Sequence, residues 1–490
     1  MGNKSEPPLA DKPFKLTQKV RFFLFLFALI VHLAAVLPFL SMPIALDDMY
    51  QYDMLARSLS NGEGYRWYSE ADVAVLKPYL EKFMPLDEMT FPENGIRTAF
   101  RSPGYPFFLA IFYSFYSRVN RFVLVRIAQA ILFASLTLPI ITFGEALSLK
   151  KSAVIAASLF ISLYPILLFY PVALASENFF IPLFVWSLYI TWKLKRKSNA
   201  VWMYLLLGIL LGAMVLTRSV SVLILLVITI WLLTALKGHR WKGLIPAFIA
   251  LLLIVPWFIR NSEVMGHPAF VENSFWYNMY IGYHPEGNGN FVSDIAIRPL
   301  FITDDAERDE FCKQNALEFI QNNPLEALRR IINRVPAFFG PETREFNYFY
   351  SNNLLGPIPQ PWLTLIYLLL TLPWFFVCFF GSFGLATNKN RSLTLLIGLS
   401  SLFYFLPHLP IVTEPRFHLA LVPLLTPFAL RAISKNQASE ADKRCYKLRR
   451  VLFFIIVLFF ITIWIVQIRQ DLPVYQKLLG PGGNEIGLCY

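Results

Sequence analysis

The strongest constraint on this chain is a series of long, strongly apolar segments. The first covers residues 20–42 and follows a basic N-terminal tail. About 20 apolar residues are enough for a helix to cross the hydrocarbon core of a bilayer. Further runs lie at about 122–147, 152–173, 178–192, 201–217, 219–236, 243–259, 362–386, 392–410, 416–431 and 451–468. Together with the first segment, the pattern predicts about eleven membrane crossings.

Composition excludes a large soluble protein. A chain of 490 residues is long enough for several soluble domains. However, 56% of the residues are hydrophobic and only 16% are charged, whereas a soluble domain carries about 25% charged residues. The net charge of +12 is interpreted as basic loops that face anionic lipid. Nucleic-acid binding is not expected, because the sequence has no basic arm interleaved with aromatic residues.

The positive-inside rule sets the orientation. With eleven crossings and an inner N-terminus, the short basic loops all fall inside, at 150–151, 193–197, 237–242, 389–391 and 431–450. The first segment is interpreted as a retained signal-anchor, because no convincing cleavage pattern follows it. The aromatic-rich stretch 103–117 is too short for a regular crossing, and we expect it to lie in the outer interface.

The predicted fold class is therefore an all-α polytopic protein of the inner (plasma) membrane. Residues 1–43 form a cytoplasmic tail and the first crossing, 122–259 crossings two to seven, and 362–468 crossings eight to eleven. The two long loops, 44–121 and 260–361, lie outside and carry interfacial helices, and 469–490 is a short outer tail. Because the inner loops are only links, we expect the chemistry to face the extracytoplasmic side.

The second long loop predicts a pair of helices. Asp304 is expected to cap the first helix, with Glu307 three residues later, and Pro324 to open the second. The second helix has the two faces typical of an interfacial helix. Its apolar face contains Leu325, Leu328, Ile332 and Val335, and its basic face contains Arg329, Arg330 and Arg334.

Charged residues next to a membrane core are costly and are functional by default. The predicted topology brings several acids and arginines from distant parts of the chain to one level at the outer boundary. They are Asp47, Asp48, Arg97, Arg101, Glu177, Arg218, Arg260, Glu414, Arg416 and His418.

Acids and arginines at this depth suit one kind of chemistry. A carboxylate can accept the proton of an acceptor hydroxyl as a general base. Arginines hold phosphate through forked, charge-assisted hydrogen bonds, and a phosphate on a lipid tail lies at this level. The combination predicts glycosyl transfer from a lipid-phosphate sugar, with Asp47 as the general base of an inverting reaction and Asp48 as its neighbour.

Structural roles are open for several of these residues. Asp47 or Asp48 could cap the helix that follows, and Arg101 or Arg218 could extend to lipid headgroups. Glu177 could form a structural ion pair, and His418 could be a packed histidine. The i,i+4 spacing of Glu414 and His418 could hold a divalent cation. The four cysteines have no metal-ligand spacing, although Cys312 and Cys489 could pair if both lie outside.

The order of these motifs resembles the GT-C superfamily of membrane glycosyltransferases, most closely the dolichyl-phosphate-mannose protein mannosyltransferase and lipid A aminoarabinose transferase group. The resemblance covers about residues 20–435. It rests on the region that begins with Asp47-Asp48, on Arg101-Ser-Pro-Gly-Tyr-Pro, and on Thr217-Arg218. It also rests on Pro256-Trp-Phe-Ile-Arg260-Asn261, on Asn323-Pro-Leu-Glu-Ala-Leu and on Glu414-Pro-Arg416-Phe-His.

The resemblance implies a polyprenyl-phosphate sugar donor and a cell-envelope lipid, glycan or protein as acceptor. By motif position it implies that Asp47, with Asp48 and Glu177, forms the catalytic site. It implies that Arg101, Arg218 and Arg416 bind the donor phosphate. Substrate contacts are assigned to Arg97, Arg260, Asn261 and His418. Ser102 and Ser219 stand where the family often has proline, and neither change removes a functional group.

Two other classes compete with this interpretation. A lipid-linked sugar flippase or transporter would predict inverted repeats and ionisable groups near the midplane, and neither pattern is visible. An O-antigen polymerase or ligase would also use outer arginines, but without an acidic pair after the first crossing. The sequence does not identify the sugar, the acceptor, a metal requirement or the oligomeric state.

Overall fold

A computed structural model describes residues 15–81, 90–115, 120–351, 356–434 and 446–485. Within these ranges the chain is helical, apart from one two-stranded ribbon, so the predicted all-α class is confirmed. Cys312 is buried. Its suggested partner Cys489 lies outside the described residues, as do Cys445 and the first 14 residues of the basic tail, and the pairing stays a prediction.

The N-terminal region contains one long helix and several short elements. Thr17 caps the long helix by accepting a hydrogen bond from the backbone N–H of Val20. In the ribbon, Trp67 lies opposite Ile96 in an antiparallel register. The elements are α1 (Gln18–Val36), α2 (Asp48–Ser60), β1 (Arg66–Trp67), α3 (Glu70–Leu80), β2 (Ile96–Arg97) and α4 (Gly104–Tyr113).

Helix α4 is the predicted interfacial helix of residues 103–117, of which 116 and 117 lie outside the described residues. Its 10 residues span about 15 Å at 1.5 Å per residue. That length is about half of the hydrocarbon thickness of a bilayer. The position of α4 in the outer interface stays a prediction.

The middle of the chain forms a run of apolar helices. Pro165 opens a helix that is bent by 51° from the one before it, because proline lacks the N–H that would continue the preceding helix. The helices are α5 (Phe122–Ser135), α6 (Thr137–Ala146), α7 (Lys151–Ser162), α8 (Pro165–Phe169), α9 (Glu177–Leu194), α10 (Val201–Thr217), α11 (Val222–Ala235) and α12 (Ile245–Met265).

The second long loop contains α13 (Phe275–Tyr283), α14 (Ser293–Ile297), α15 (Asp305–Asn322), α16 (Pro324–Phe339) and α17 (Thr343–Tyr350). The predicted helical pair is present as α15 and α16. The Asp304 side chain accepts hydrogen bonds from the N–H groups of Ala306 and Glu307, and Pro324 is the first residue of α16.

Helix α16 has the two predicted faces, and the structure orients them. Leu325, Leu328 and Ile332 are exposed, whereas Arg330 and Arg334 are buried. Arg330 and Arg334 therefore pack on the protein, where their guanidinium groups donate to backbone carbonyls. Arg329, the third residue of the predicted basic face, is instead exposed and pairs with Glu326.

The C-terminal part contains α18 (Gln360–Thr387), α19 (Arg391–Phe405), α20 (Val422–Ile433) and α21 (Tyr446–Leu478). A 3-10 helix, Pro415–Leu421, leads into α20. Helix α21 ends at Leu478, whereas the sequence predicted the end of the last crossing at residue 468. The helix continues through the polar residues beyond 468, and one of them, Asp471, accepts a hydrogen bond from Thr343 of α17.

Six described helices are long and apolar enough to cross a membrane, or seven if the bent pair formed by Lys151–Ser162 and Pro165–Val172 is one span. The six are Gln18–Phe39, Phe122–Ala146, Arg240–Met265, Gln360–Thr387, Pro415–Ile433 and Arg449–Leu478. The chain is thus a multi-pass membrane protein. The other predicted crossings fall on α9, α10, α11 and α19, which are helices, and their crossing stays a prediction.

Helix packing brings distant segments to one end of the bundle. Helix α2 packs on α4, and α4 packs on α10. A Cβ at Gly104 would collide with Thr217, so glycine permits the close approach of the two helices. This approach places the turn before α4 beside the end of α10, and with them Arg101 and Arg218.

Candidate active site

Asp47 and Asp48 lie at the start of α2 and have different surroundings. The Asp47 carboxylate caps the helix by accepting a 2.9 Å hydrogen bond from the N–H of Met49. Asp48 is the first helical residue, and its carboxylate points to arginines. One of the two aspartates therefore caps the helix, as in the structural alternative given above.

Arg101 contacts α2 from the turn that precedes α4. Its guanidinium group forms an ion pair with Asp48 and donates hydrogen bonds of 2.8 and 2.6 Å to Oε1 of Gln51. It also lies over the rings of Tyr52 and Phe100. Asp48 and Gln51, one turn apart on α2, thus hold the Arg101 side chain in place.

Arg416 approaches Asp48 from the opposite side. It belongs to the 3-10 helix Pro415–Leu421, and its NH2 lies 3.1 Å from Oδ2 of Asp48. Its Nε lies 2.6 Å from Oε2 of Glu414 and 3.5 Å from Oε1 of Glu177. One carboxylate of α2 is thus bridged by two arginines from segments that are more than 300 residues apart in sequence.

Arg218 and Glu177 complete this network. Arg218 follows the last residue of α10, and its NH2 lies 2.8 Å from Oε1 of Glu177. Glu177 is the first residue of α9 and is only 2% exposed. Since this oxygen also faces Arg416, Glu177 joins the two arginines. We call Asp48, Glu177, Arg101, Arg218 and Arg416 the arginine network.

The two aspartates have pKa shifts of opposite direction. Burial raises the pKa of Asp47, and the negative charge of Asp48 raises it further. The hydrogen bond from the N–H of Met49 lowers this pKa but does not cancel the rise. Burial acts on Asp48 in the same direction, but Arg101 and Arg416 outweigh it and lower its pKa below the ordinary value. Asp48 is therefore the permanent counter-ion of the arginines, and Asp47 is the better proton acceptor of the pair.

Two cavities meet at this network. Cavity A has a volume of about 330 Å³ and cavity B of about 350 Å³. Both are lined by Asp47, Asp48, Glu414 and Arg416, which form a shared wall. Cavity B also contains Arg101, Arg218 and a set of polar groups that includes Gln51, Tyr68, Glu272 and Asn278.

Cavity A contains residues that the sequence analysis did not single out. Arg344 and Glu345 come from α17, and Gln467 and Asp471 come from α21. Arg344 forms an ion pair with Glu414. The signal for Asp471 was present, since an acid within a long apolar helix is unusual, but the predicted crossing ended at residue 468.

A buried acidic pair, Glu342 just before α17 and Glu345 in its first turn, lies beside cavity A. Burial raises the pKa of Glu342 to about 8. Burial and the neighbouring Glu342 also raise the pKa of Glu345 to about 8. Glu342 accepts a hydrogen bond from His418, whose Nε2 is 2.9 Å from Oε1. His418 is fully buried and stacks on Trp374 at 3.8 Å.

The structure brings some predicted residues to the site and leaves others outside it. Arg97 is exposed on β2 and lines neither cavity. Arg260 donates to the carbonyls of Thr98 and Tyr65, and the Asn261 amide donates to those of Phe270 and Val271. The hydrogen bonds of Arg260 and Asn261 hold loops together. Arg260, Asn261 and His418 line neither cavity, so their predicted substrate contacts have no counterpart in the cavity walls.

The Glu414–His418 pair does not converge on a common point. Residues 415–421 form a 3-10 helix, in which positions three apart share a face and positions four apart do not. Glu414 faces arginines, and His418 faces Glu342. In the described part of the chain, no group of three or more His, Cys, Asp or Glu side chains could hold a metal ion. A divalent cation stays a prediction.

The geometry can bind an anion and accept a proton. Each arginine of the network faces a carboxylate at or beside a cavity, and a guanidinium group can exchange a carboxylate for a phosphate. Asp47 lies on the wall that separates the two cavities and has a raised pKa. A group in cavity B and a group in cavity A could therefore meet at Asp47.

No family model and no curated protein sequence matches the chain. Solved structures of the Archaeoglobus fulgidus oligosaccharyltransferase match 95% of it. One holds a tethered acceptor peptide with the NVT sequon, with a TM-score of 0.47 and 13% identity. Another is a complex with an inhibitory peptide and a dolichol-phosphate, with a TM-score of 0.45 and 13% identity. The present chain spans 58% of the length of each.

Proposed function

We propose that the protein is a GT-C-type membrane glycosyltransferase that transfers a sugar from a polyprenyl-phosphate donor to a cell-envelope acceptor. The observation that carries this proposal is the arginine network at the wall shared by two cavities. Reaction at the extracytoplasmic side of the plasma membrane belongs to the same proposal, and it is supported by the distribution of basic loops in the sequence.

The donor phosphate is assigned to cavity B. Arg101, Arg218 and Arg416 all line this cavity, and their side chains are only 14–18% exposed. Shielding from water strengthens the attraction of a guanidinium group for a phosphate. The planar fork of arginine matches two phosphate oxygens at once. The three groups could therefore hold the phosphate and stabilise the charge that develops on it.

The acceptor is assigned to cavity A and the general base to Asp47. The acceptor hydroxyl gives its proton to the Asp47 carboxylate while its oxygen forms a bond to the anomeric carbon. The bond from that carbon to the phosphate oxygen breaks, and its electron pair stays on the phosphate near the arginines. Attack from the side opposite the phosphate inverts the configuration. The cap on α2 and the arginine partners give Asp47 and Asp48 separate tasks.

The test is lipid binding by the full chain in nanodiscs. Undecaprenyl phosphate is the probe, and native mass spectrometry measures its affinity. We expect Arg101→Ala and Arg416→Ala to weaken binding strongly, and the exposed Arg97→Ala to serve as a matched control with unchanged affinity. Equal binding of undecaprenyl phosphate by all four proteins, or no binding by the wild type, would contradict the proposal.

A further inference from the structure

Two non-glycine residues in the described part of the chain have a left-handed backbone. They are Tyr68, with φ of 50°, and Ser148, with φ of 56°. L-residues with a side chain rarely adopt this conformation, and large side chains do so least readily. Each case therefore needs a local explanation or a function.

Ser148 has a local explanation. It follows the end of α6, and its N–H donates a 3.0 Å hydrogen bond to the carbonyl of Glu145. A left-handed residue after a helix is a common way to end it, and Ser148 is small and exposed. Nothing about this position requires a particular side chain.

Tyr68 is fixed from both sides. It follows β1, which is paired with β2, and it precedes Ser69, which caps α3 through a reciprocal pair of hydrogen bonds with Asp72. The single residue between a paired strand and a capped helix must make the turn. Glycine or asparagine would make the turn with less strain, so the strained tyrosine suggests that the ring itself is needed.

The Tyr68 ring lies in the wall of cavity B. Its hydroxyl accepts a long hydrogen bond of 3.5 Å from Nε2 of Gln51, and Oε1 of the same Gln51 accepts from Arg101. The ring is also backed by Trp67, with 4.7 Å between the centroids. Tyr68 and Arg101 thus line the same cavity and share Gln51 as a hydrogen-bond partner.

We propose that Tyr68 is a specificity-determining residue that packs against the sugar ring of the lipid-phosphate donor. This inference rests on the proposed function and adds the recognition of the sugar to it. The sugar is joined directly to the phosphate, so a phosphate at Arg101 places the sugar within reach of the neighbouring wall. The C–H face of a hexose or pentose ring is apolar and fits an aromatic ring. Undecaprenyl phosphate has the same lipid tail and phosphate but no sugar, so a comparison with it isolates the contact with the sugar.

The experiment compares lipids with and without a sugar. The full chain in nanodiscs is titrated with undecaprenyl phosphate and with its glucose, mannose and arabinose derivatives, and native mass spectrometry gives the affinities. We expect the wild type to bind at least one sugar-bearing lipid more tightly than undecaprenyl phosphate. In Tyr68→Asn that preference should fall by about three- to tenfold, while the affinity for undecaprenyl phosphate is unchanged.

Matched variants separate recognition from folding. Tyr68→Phe keeps the ring and should keep the preference, and Ser148→Asn, at the second left-handed position, should change no affinity. The thermal midpoint of Tyr68→Asn should not fall, since asparagine accepts this backbone. Weakened binding of all lipids together with a lower midpoint would overturn the inference in favour of a structural role. Identical affinities of Tyr68→Asn and wild type for every lipid would also overturn it, whereas a wild type that binds none would instead contradict the proposed function.

Discussion

Two groups of arginines, one buried in α16 and one half-buried in the arginine network, differ in what they bind. In α16, Arg334 donates to the carbonyls of Gly282, Gly289, Leu409 and Pro410 and to the hydroxyl of Tyr283. Arg330, one turn earlier, donates to carbonyls of the same loop. The arginine network instead binds side-chain carboxylates at the walls of cavities.

The difference separates scaffold from site. A guanidinium group that is buried and bonded mainly to backbone carbonyls cannot accept a ligand without breaking contacts that hold the fold. One that faces a carboxylate at a cavity can exchange that partner for phosphate, because both are anions with similar spacing of oxygens. Arg334 also ties the loop after α13 to Leu409 and Pro410, which precede the segment that carries Arg416. The first group therefore supports the second.

The largest expected effect comes from removing the proton acceptor at the shared wall. Asp47→Asn should lower sugar transfer by about 10²- to 10⁴-fold, the usual contribution of a general base. Asparagine can still cap α2, so folding and binding of undecaprenyl phosphate should persist. Transfer is measured in proteoliposomes, and NMR gives the anomeric configuration of the product. Full activity of the variant, or a product that retains the configuration of the donor, would refute the role of Asp47.

The next effect tests the cavity arginines. Arg101→Ala should reduce transfer by about a hundredfold or more, since loss of a positioned donor near developing charge costs about 2.7–4 kcal/mol. Arg101→Lys should not restore the wild-type rate, because lysine lacks the planar fork. Single-turnover rates with saturating donor measure the effect. A rate within a few-fold of wild type for the alanine variant would assign Arg101 to the scaffold group.

In α16 we expect a substitution to lower stability and to leave the transfer rate unchanged. Arg334→Ala leaves several buried carbonyls without a donor, and the free energy of unfolding should fall by about 1–3 kcal/mol. The transfer rate per folded molecule should stay close to that of wild type. Thermal unfolding in detergent and a rate normalised to the folded fraction measure the two quantities. Loss of rate at unchanged stability would mean that Arg334 belongs to the site.

The buried acids next to the cavities are tested through the pH dependence of the protein's stability. The pKa of Glu345 is raised to about 8 by burial and by Glu342, above the value of about 4.3 in an unfolded chain. The native state therefore binds more protons between these values, and stability decreases as the pH rises from about 4.3 to about 8. Glu345→Gln should flatten that slope and gain stability over wild type as the pH rises.

Thermal midpoints from about pH 5 to about pH 9 measure this slope. The exposed Glu310→Gln provides the control and should leave the slope unchanged. Asp48, whose pKa is lowered by Arg101 and Arg416, contributes in the other direction, because its stabilisation is lost only as the pH falls. A wild-type slope in Glu345→Gln would show that its carboxyl group titrates normally.

The smallest effect is expected at Arg97. Its side chain is exposed on β2 and lines neither cavity. Arg97→Ala should change stability by no more than about 0.5 kcal/mol, as is usual for surface positions, and the transfer rate should be that of wild type. A clear loss of transfer would bring Arg97 back to the site and would require a movement of the ribbon.

The predicted site residues divide according to the partners that each side chain finds. Asp48, Arg101 and Arg416 were placed at one membrane level by the sequence, and the structure brings them into contact. Arg260 satisfied the same criterion, and Asn261 was assigned through the family resemblance, yet both bind backbone carbonyls. Glu345 was missed because the sequence analysis predicted no helix after residue 339 in the second long loop. Its position in the cavity wall also depends on α21 and on the segment before α20.

The amino-acid sequence by itself determined the helical class, the positions of the apolar helices, the cap at Asp304 and the helix start at Pro324. These features depend on hydrophobic runs and on local backbone chemistry, which are written in consecutive residues. Only the tertiary structure decided which arginine faces a carboxylate and which faces a carbonyl, and that the end of α21 forms a cavity wall. Those outcomes depend on contacts between segments hundreds of residues apart, as between Asp48 and Arg416, and no local pattern encodes them.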